Sequence, residues 1–352
     1  MQITRELLFE EDKYFPACHA STVLPLDGGD VLVCYFAGTR EGADDVGIWL
    51  SRRADGVWLP PARVAKVNDQ PHWNPVLMPV PGGARLIFKV GPDVPSWKSW
   101  TMTTKDGGAS WSVPERYLAP NDACGPVRNK PLYLSDGSLL APDSVETLTD
   151  WRPRIGISYD YGASFPAASW IPIDSDGTAA IKETRSPVKP DPANHMAGKG
   201  AIQPTIWESA SGHIHALLRT TSGYVFRADS EDYGRSWCTA YATRIPNNNS
   251  GIDLAKLDGR LYLVLNPVSG NWADRTPIVV LRSNDNGKTF EAYAMLEDMK
   301  EDPRAATADK PPKDNRKHTA EFSYPAIVAK GGKLYITYTY LRRTIAYREI
   351  IP

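Results

Sequence analysis

One pattern returns along this chain of 352 residues: Ser/Thr-x-Asp-x-Gly-x-x-Trp/Phe. It reads Thr104–Trp111 (TKDGGASW), Ser158–Phe165 (SYDYGASF), Ser230–Trp237 (SEDYGRSW) and Ser283–Phe290 (SNDNGKTF), with a degraded copy at Ser51–Trp58 (SRRADGVW). The closing aromatics fall at 58, 111, 165, 237 and 290, so the gaps are 53, 54, 72 and 53 residues. A turn motif that recurs every ~40–55 residues marks a propeller or a similar array, in which each repeat is one supersecondary unit. Within the motif, Asp and Ser/Thr side chains are suited to bonding backbone N–H groups of the turn. Gly supplies a positive φ, and the aromatic folds back as an apolar plug. Asp285 is therefore read as a hairpin staple and not as a catalytic acid.

Between the motifs, short apolar or alternating runs are separated by turn clusters: Thr22–Pro25 before LDGGD, Val31–Phe36, Val46–Ser51, Arg85–Val90 after PGGA, Ile214–Arg219 after SGH, Leu261–Leu265 after LDG and Lys333–Tyr340 after KGG. This density of strand and turn signals predicts an all-β chain. Five motif-bearing units and a last unit near Phe322–Pro352 predict a single-domain six-bladed β-propeller over residues 1–352, with four antiparallel strands per blade. Ile3–Phe9 has strand character and is expected to pair beside Ile345–Ile350, closing the ring and covering an open sheet edge. Two segments break the period and read as loop insertions, 167–200 and 296–318, the second with a short helix at most.

Charge is balanced, 40 Lys+Arg against 41 Asp+Glu, which implies no nucleic-acid or membrane-surface partner. No apolar run approaches a membrane span. Met1–Glu10 lacks a basic start and a long apolar run, so no signal peptide is expected. Cys18, Cys34, Cys124 and Cys238 lack metal-ligand spacing and read as free thiols, which favours the cytoplasm; a secreted protein whose leader has been removed would read the same way. Neither a catalytic metal nor a cofactor is expected.

In a propeller the innermost strand of each blade lines the central channel, so a site there draws one or two residues from every blade. The candidates, in chain order, begin with His19 and the loop Arg40-Glu41-Gly42-Ala43-Asp44-Asp45. His72-Trp73-Asn74 follows, with groups compatible with a sugar, and then Arg128-Asn129-Lys130, two cations beside an amide at a strand start. Later come Gln203, Arg219 at the end of an apolar strand, Asn249, Arg275, the pair Glu321 and Tyr324, and Arg342. Guanidinium forks match carboxylates bidentately, so convergent arginines point to an anionic ligand.

The four good motifs resemble the Asp-boxes of sialidases and related β-propeller proteins. The resemblance covers most of the chain at the level of blades. It implies that Arg219 and Arg275 stand where the family's second and third substrate-binding arginines are expected, and that Asp44 or Asp45 supplies the acid/base. It places His19, in Ala17-Cys18-His19-Ala20-Ser21, where the family's first arginine would be. Sialidases use a Tyr nucleophile, and Tyr324 with Glu321 is the matching pair. Three readings follow. The first is an exo-acting glycoside hydrolase on an acidic or deoxy terminal sugar of an oligosaccharide. The second is a lyase acting beside a uronic acid in an oligo- or polysaccharide, with His19, His72 or Tyr324 moving protons and Lys130 and the arginines neutralising the carboxylate. The third is a non-catalytic glycan-binding propeller.

Overall fold

The hairpin staple forms four times with nearly the same geometry. In the computed structural model, which describes residues 1–118, 122–174, 196–301 and 319–352, Ser283 Oγ donates to Asp285 Oδ1 at 2.8 Å and accepts from Gly287 N at 2.8 Å. Asp285 in turn accepts from Thr289 N at 2.8 Å and Thr289 Oγ1 at 2.6 Å. Thr104/Asp106/Ser110, Ser158/Asp160/Ser164 and Ser230/Asp232/Ser236 repeat the set. Asn286 and Gly287 both hold positive φ, 61° and 76°, a pair of values that favours a glycine at the second position. Phe165, Trp237 and Phe290 are buried as plugs. In the degraded copy Trp58 is only partly buried and donates its indole N–H to Glu6 at 2.6 Å.

Each staple joins the third strand of a blade to the fourth. The sheets are Ala17–Pro25, Val31–Gly38, Gly47–Ala54 and Val57–Trp58 with Ala62–Ala65; His72–Val80, Gly83–Val90, Lys98–Thr104 and Glu115–Arg116; and Leu132–Tyr133, Leu139–Glu146, Trp151–Ser158 and Ala167–Trp170. The fourth and fifth are Ala201–Ala210, His213–Thr220, Tyr224–Ser230 and Tyr241–Pro246, and Asp253–Leu257, Arg260–Leu265, Ile278–Ser283 and Glu291–Glu297. The sixth is Phe322–Lys330, Lys333–Tyr340 and Thr344–Ile351, completed by the N-terminal strands Gln2–Ile3 and Glu6–Leu7. The expected closure is present: Ile3 pairs with Ile350 and Leu7 with Ala346. Helix among the described residues is one 3₁₀ turn, Val94–Ser96, capped by Asp93. The fold is thus an all-β, six-bladed propeller of antiparallel blades.

Six apolar clusters lie between neighbouring blades and close the ring. Phe36 and Leu50 of blade 1 pack with Leu86 and Phe88 of blade 2; Ile87 meets Phe165 across blades 2 and 3; Ile155 meets Phe226 across 3 and 4. Leu217 packs with Leu263, Val280 with Ile336, and Ile345 with Val33 across the three remaining seams. Full burial of such side chains contributes about 1.5–3 kcal/mol each. Cys18, Cys34, Cys124 and Cys238 are all free. Of the two expected insertions, residues 175–195 and 302–318 lie outside the described residues, as does the short helix expected in the second.

Candidate functional site

Four of the six innermost strands carry a bulge at the same level, and these bulges build the site. His19 pairs with Phe36 and Thr22 with Cys34, so two residues on one strand, Ala20 and Ser21, answer one on the other, Tyr35. The same bulge lies between Trp73 and Val76, Ile202 and Thr205, and Ser323 and Ala326. At the corresponding point of all six blades one non-glycine residue is left-handed: Ala20, Asn74, Arg128, Gln203, Asn249 and Tyr324, with φ of 55°, 41°, 73°, 52°, 56° and 53°. A non-glycine side chain at positive φ is strained, and a bulge re-aims the side chain it carries. Three of the six precede proline (Asn74-Pro75, Gln203-Pro204, Tyr324-Pro325).

Bulging strips carbonyls of their ladder partners, and buried carbonyls need donors. Arg128 and Asn129 supply them. Arg128 Nη1 donates to Ser21 O at 3.0 Å and Nη2 to Pro325 O. Asn129 Nδ2 donates to Gln203 O and Pro204 O, each at 2.9 Å. Lys130 Nζ bonds both oxygens of Asp253 at 2.9 Å, and Asp253 also accepts from Thr205 Oγ1 at 2.8 Å and Ile327 N at 2.9 Å. These contacts tie blades 3, 4, 5 and 6 together beneath the channel floor. The expectation that Arg128, Asn129 and Lys130 bind substrate is corrected accordingly: Arg128 Nη1 and Nη2, Asn129 Nδ2 and Lys130 Nζ all bond the fold, and Arg128 and Asn129 are 1 % exposed. Burial brings the Arg128 guanidinium down to about 10, with Asp253 and the Tyr324 ring partly offsetting the loss of solvent.

Above this layer, three left-handed residues converge on Arg219, which closes strand His213–Thr220. Its Nε donates to Asn249 Oδ1 at 2.8 Å, and its Nη1 donates to Gln203 Oε1 at 3.0 Å and to the Tyr324 hydroxyl at 2.7 Å. Nη2 has no partner among the described residues. The Tyr324 ring centre lies 5.4 Å from the guanidinium carbons of Arg128 and Arg275 and 5.5 Å from that of Arg219, with the His19 ring 4.2 Å away.

Glu321 organises the second half of the site. It accepts from Arg275 Nη1 at 2.7 Å, Arg342 Nε at 3.0 Å and Ser323 Oγ at 2.7 Å. Burial alone would raise its carboxyl, but Arg342 and Arg275 outweigh that and hold it well below the usual carboxylate range. Arg342 continues to Glu41 at 2.6 Å, linking blades 6 and 1. His19 shares a hydrogen bond with Thr339 at 2.8 Å and is 2 % exposed. Burial first, then Arg342, keep it well below the ordinary histidine value, so it is neutral at pH 7.

A cavity of about 260 Å³ opens over Tyr324, Arg219, Gln203 and Asn74. Trp73, Trp97, Trp151 and Trp272 form apolar walls, and Glu41, Glu146 and Lys199 bring charge to its rim. Of the residues expected from sequence, it therefore gathers Tyr324, Arg219, Gln203, Asn74 and Trp73, with Asn249 bracing Arg219 from behind. Arg275, Arg342, Glu321 and His19 form the adjoining ion-pair cluster. Four others stand differently. His72 is fully buried, with Nε2 accepting from Val67 N at 2.9 Å and Nδ1 donating to Gln70 O at 2.8 Å, a loop staple and not a ligand contact. Asp45 is engaged by Thr39 N and Oγ1 at 2.8 and 2.7 Å, Asp44 and Arg40 are exposed, and none of the three lines this cavity. The residue of that loop that reaches it is Glu41. Trp151 and Trp272 were not anticipated, and neither Glu41 nor Glu146 was singled out within its segment. The repeat of a polar residue before proline would have fixed the register of Tyr324, but no sequence signal marks Trp272.

Solved structures share this architecture. The Hadza microbial sialidase Hz136 superposes with a TM-score of 0.69 at 13% identity, over 98% of this chain and 68% of that one. A protein of unknown function from Dyadobacter fermentans gives 0.68 at 14%, over 99% and 98%. The Trypanosoma rangeli sialidase in complex with the inhibitor DANA gives 0.67 at 12%; this chain spans 60% of its length. At such identities the likeness is one of fold. No curated protein matches the sequence. The family model described as "BNR repeat-like domain" matches residues 29–336, the span that holds all four stapled hairpins, and the chain belongs to that family.

Proposed function

We propose that this protein is an exo-acting glycoside hydrolase of the sialidase-like type, acting on a terminal sugar that carries a carboxylate. The observation that carries the reading is the 2.7 Å hydrogen bond from Arg219 to the Tyr324 hydroxyl at the floor of a tryptophan-walled cavity. Aromatic faces suit the apolar faces of a pyranose. Arg219 has one donor group to spare, Arg275 lies against the same Tyr324 ring, and Arg342 meets Arg275 on Glu321. In this reading Tyr324 is the nucleophile toward the anomeric carbon, a role for which the two-carboxylate rule has a Tyr exception. Arg219, Arg275 and Arg342 hold the carboxylate, and Glu321 orients the last two. The test is release of free sugar from a panel of anionic glycosides, sialosides included. If none is released under any condition, the hydrolase reading is wrong.

One feature favours a second reading, a lyase acting beside a uronic acid. The Tyr324 hydroxyl is bonded by a guanidinium and by no carboxylate, and a neutral imidazole, His19, lies against its ring. Tyrosine and histidine can remove and return protons once arginines neutralise the neighbouring carboxylate. An unsaturated product absorbing in the near ultraviolet distinguishes this reaction from hydrolysis in one assay.

A further inference from the structure

Hydrolysis at Tyr324 needs a proton for the departing oxygen, and the loop expected to supply it does not line the cavity. Asp45 is held by Thr39 and Asp44 is exposed. Among the described residues two carboxyl groups do line the cavity, Glu41 and Glu146. Glu41 is committed to Arg342 at 2.6 Å as an ion pair. Glu146, the last residue of strand Leu139–Glu146, is differently placed. Its Oε1 accepts from Ser144 Oγ at 3.0 Å, and among the described residues its Oε2 has no hydrogen-bond partner and the carboxyl forms no ion pair.

We infer that Glu146 is the proton donor of this site, a carboxylic acid presented to the leaving oxygen from blade 3 in place of the blade 1 aspartates. The inference rests on the hydrolase reading. Its surroundings agree with the geometry. Burial raises the Glu146 carboxyl above its ordinary value; Arg219 and the Ser144 hydroxyl pull the other way, Asp143 adds to the rise, and Lys199 opposes it. Asp143 is itself taken up by Arg154 at 2.8 Å and does not line the cavity. A carboxyl raised by burial beside an ion-paired one is the arrangement that separates acid from spectator.

The step balances as follows. The bond between the anomeric carbon and the glycosidic oxygen breaks, and its electron pair goes to the oxygen, which takes the Glu146 proton and leaves as an alcohol. The Tyr324 oxygen bonds the anomeric carbon, and the phenolic proton passes to water in the open cavity. A water then attacks the anomeric carbon and gives a proton back to the Glu146 carboxylate. The phenolate that departs is reprotonated from solvent.

Leaving-group dependence tests this directly. On substrates with a sugar or alkyl leaving group, Glu146→Gln should lose roughly 10²–10⁴-fold in kcat/KM, the usual contribution of general acid catalysis. On 4-nitrophenyl glycosides, whose leaving group needs no proton, the loss should stay below about tenfold. The basic limb of the pH profile, where activity falls as the acid form is lost, should vanish in the variant. Ser144→Ala removes a bond that favours the charged form, so it should move that limb to higher pH, and it serves if Glu146→Gln fails to fold. Equal losses on both substrate classes, or an unmoved basic limb in Ser144→Ala, would overturn the inference while leaving the hydrolase reading intact. A wild-type protein inactive on every anionic glycoside would overturn both.

Discussion

Arg219 and Tyr324 are 105 residues apart in sequence and 2.7 Å apart in space, joined from blade 4 to blade 6 by one N–H···O bond. Gln203, on strand Ala201–Ala210, and Asn249, in the bend before Asp253–Leu257, fix the same guanidinium. The phenol oxygen is thus positioned by a group that is itself held at two further points, which is what a reacting atom needs from its supports.

Tyr324→Phe should therefore abolish turnover while leaving the fold. The expected loss in kcat is roughly 10³-fold or more, as for removal of a nucleophile. The missing hydrogen bond costs about 1 kcal/mol, a shift of a few degrees in Tm. A variant that keeps kcat within tenfold of wild type would remove Tyr324 from the chemistry.

Glu321 makes stability depend on pH in a defined direction. Its carboxyl is held down by Arg342 and Arg275 against the burial that would raise it. A depressed folded-state value contributes stability above the unfolded value, near 4.5, and that contribution is lost as pH falls through the folded value. Glu321→Gln should melt well below wild type at pH 7, by an amount corresponding to about 3–5 kcal/mol for breaking such a pair. The gap should narrow steadily below pH 4.5. Parallel melting curves at pH 7 and pH 3 would contradict this.

Asp253 joins four blades through Lys130, Thr205 and the Ile327 amide. Asp253→Ala leaves a lysine and a buried amide unmatched and should cost about 3–5 kcal/mol, read as an early unfolding midpoint in urea. An unchanged midpoint would show that the hub adds nothing to cohesion between blades.

Asp285 lies in a stapled hairpin, outside the residues that line the cavity. Asp285→Ala should lower stability by about 1–3 kcal/mol and leave kcat/KM near wild type below the melting range. A loss of activity at full folding would give the hairpin a functional role.

The staples were legible because every bond in them is local: Ser283, Asp285, Gly287 and Thr289 satisfy one another within seven residues. Their spacing counted the blades, and the strand character of Ile3–Phe9 was enough to place it against the last one. The polar residues of the channel were harder. Arg128 and Arg219 look alike in sequence, each near the mouth of a strand. One spends its guanidinium on carbonyls orphaned by bulges in blades 1 and 6, and the other faces the cavity. His72 and His19 divide in the same way, one a loop staple and the other packed against Tyr324.

By itself, then, the sequence determined the repeat, the all-β propeller, its six blades and the structural role of the stapled hairpins, since these follow from contacts within a few residues or from a fixed period. Which arginine meets Tyr324, which carboxyl stays unpaired and which tryptophans wall the cavity were decided by tertiary structure alone. Those relations depend on where separate blades bring their bulged residues, and ring closure, not local chemistry, sets those distances.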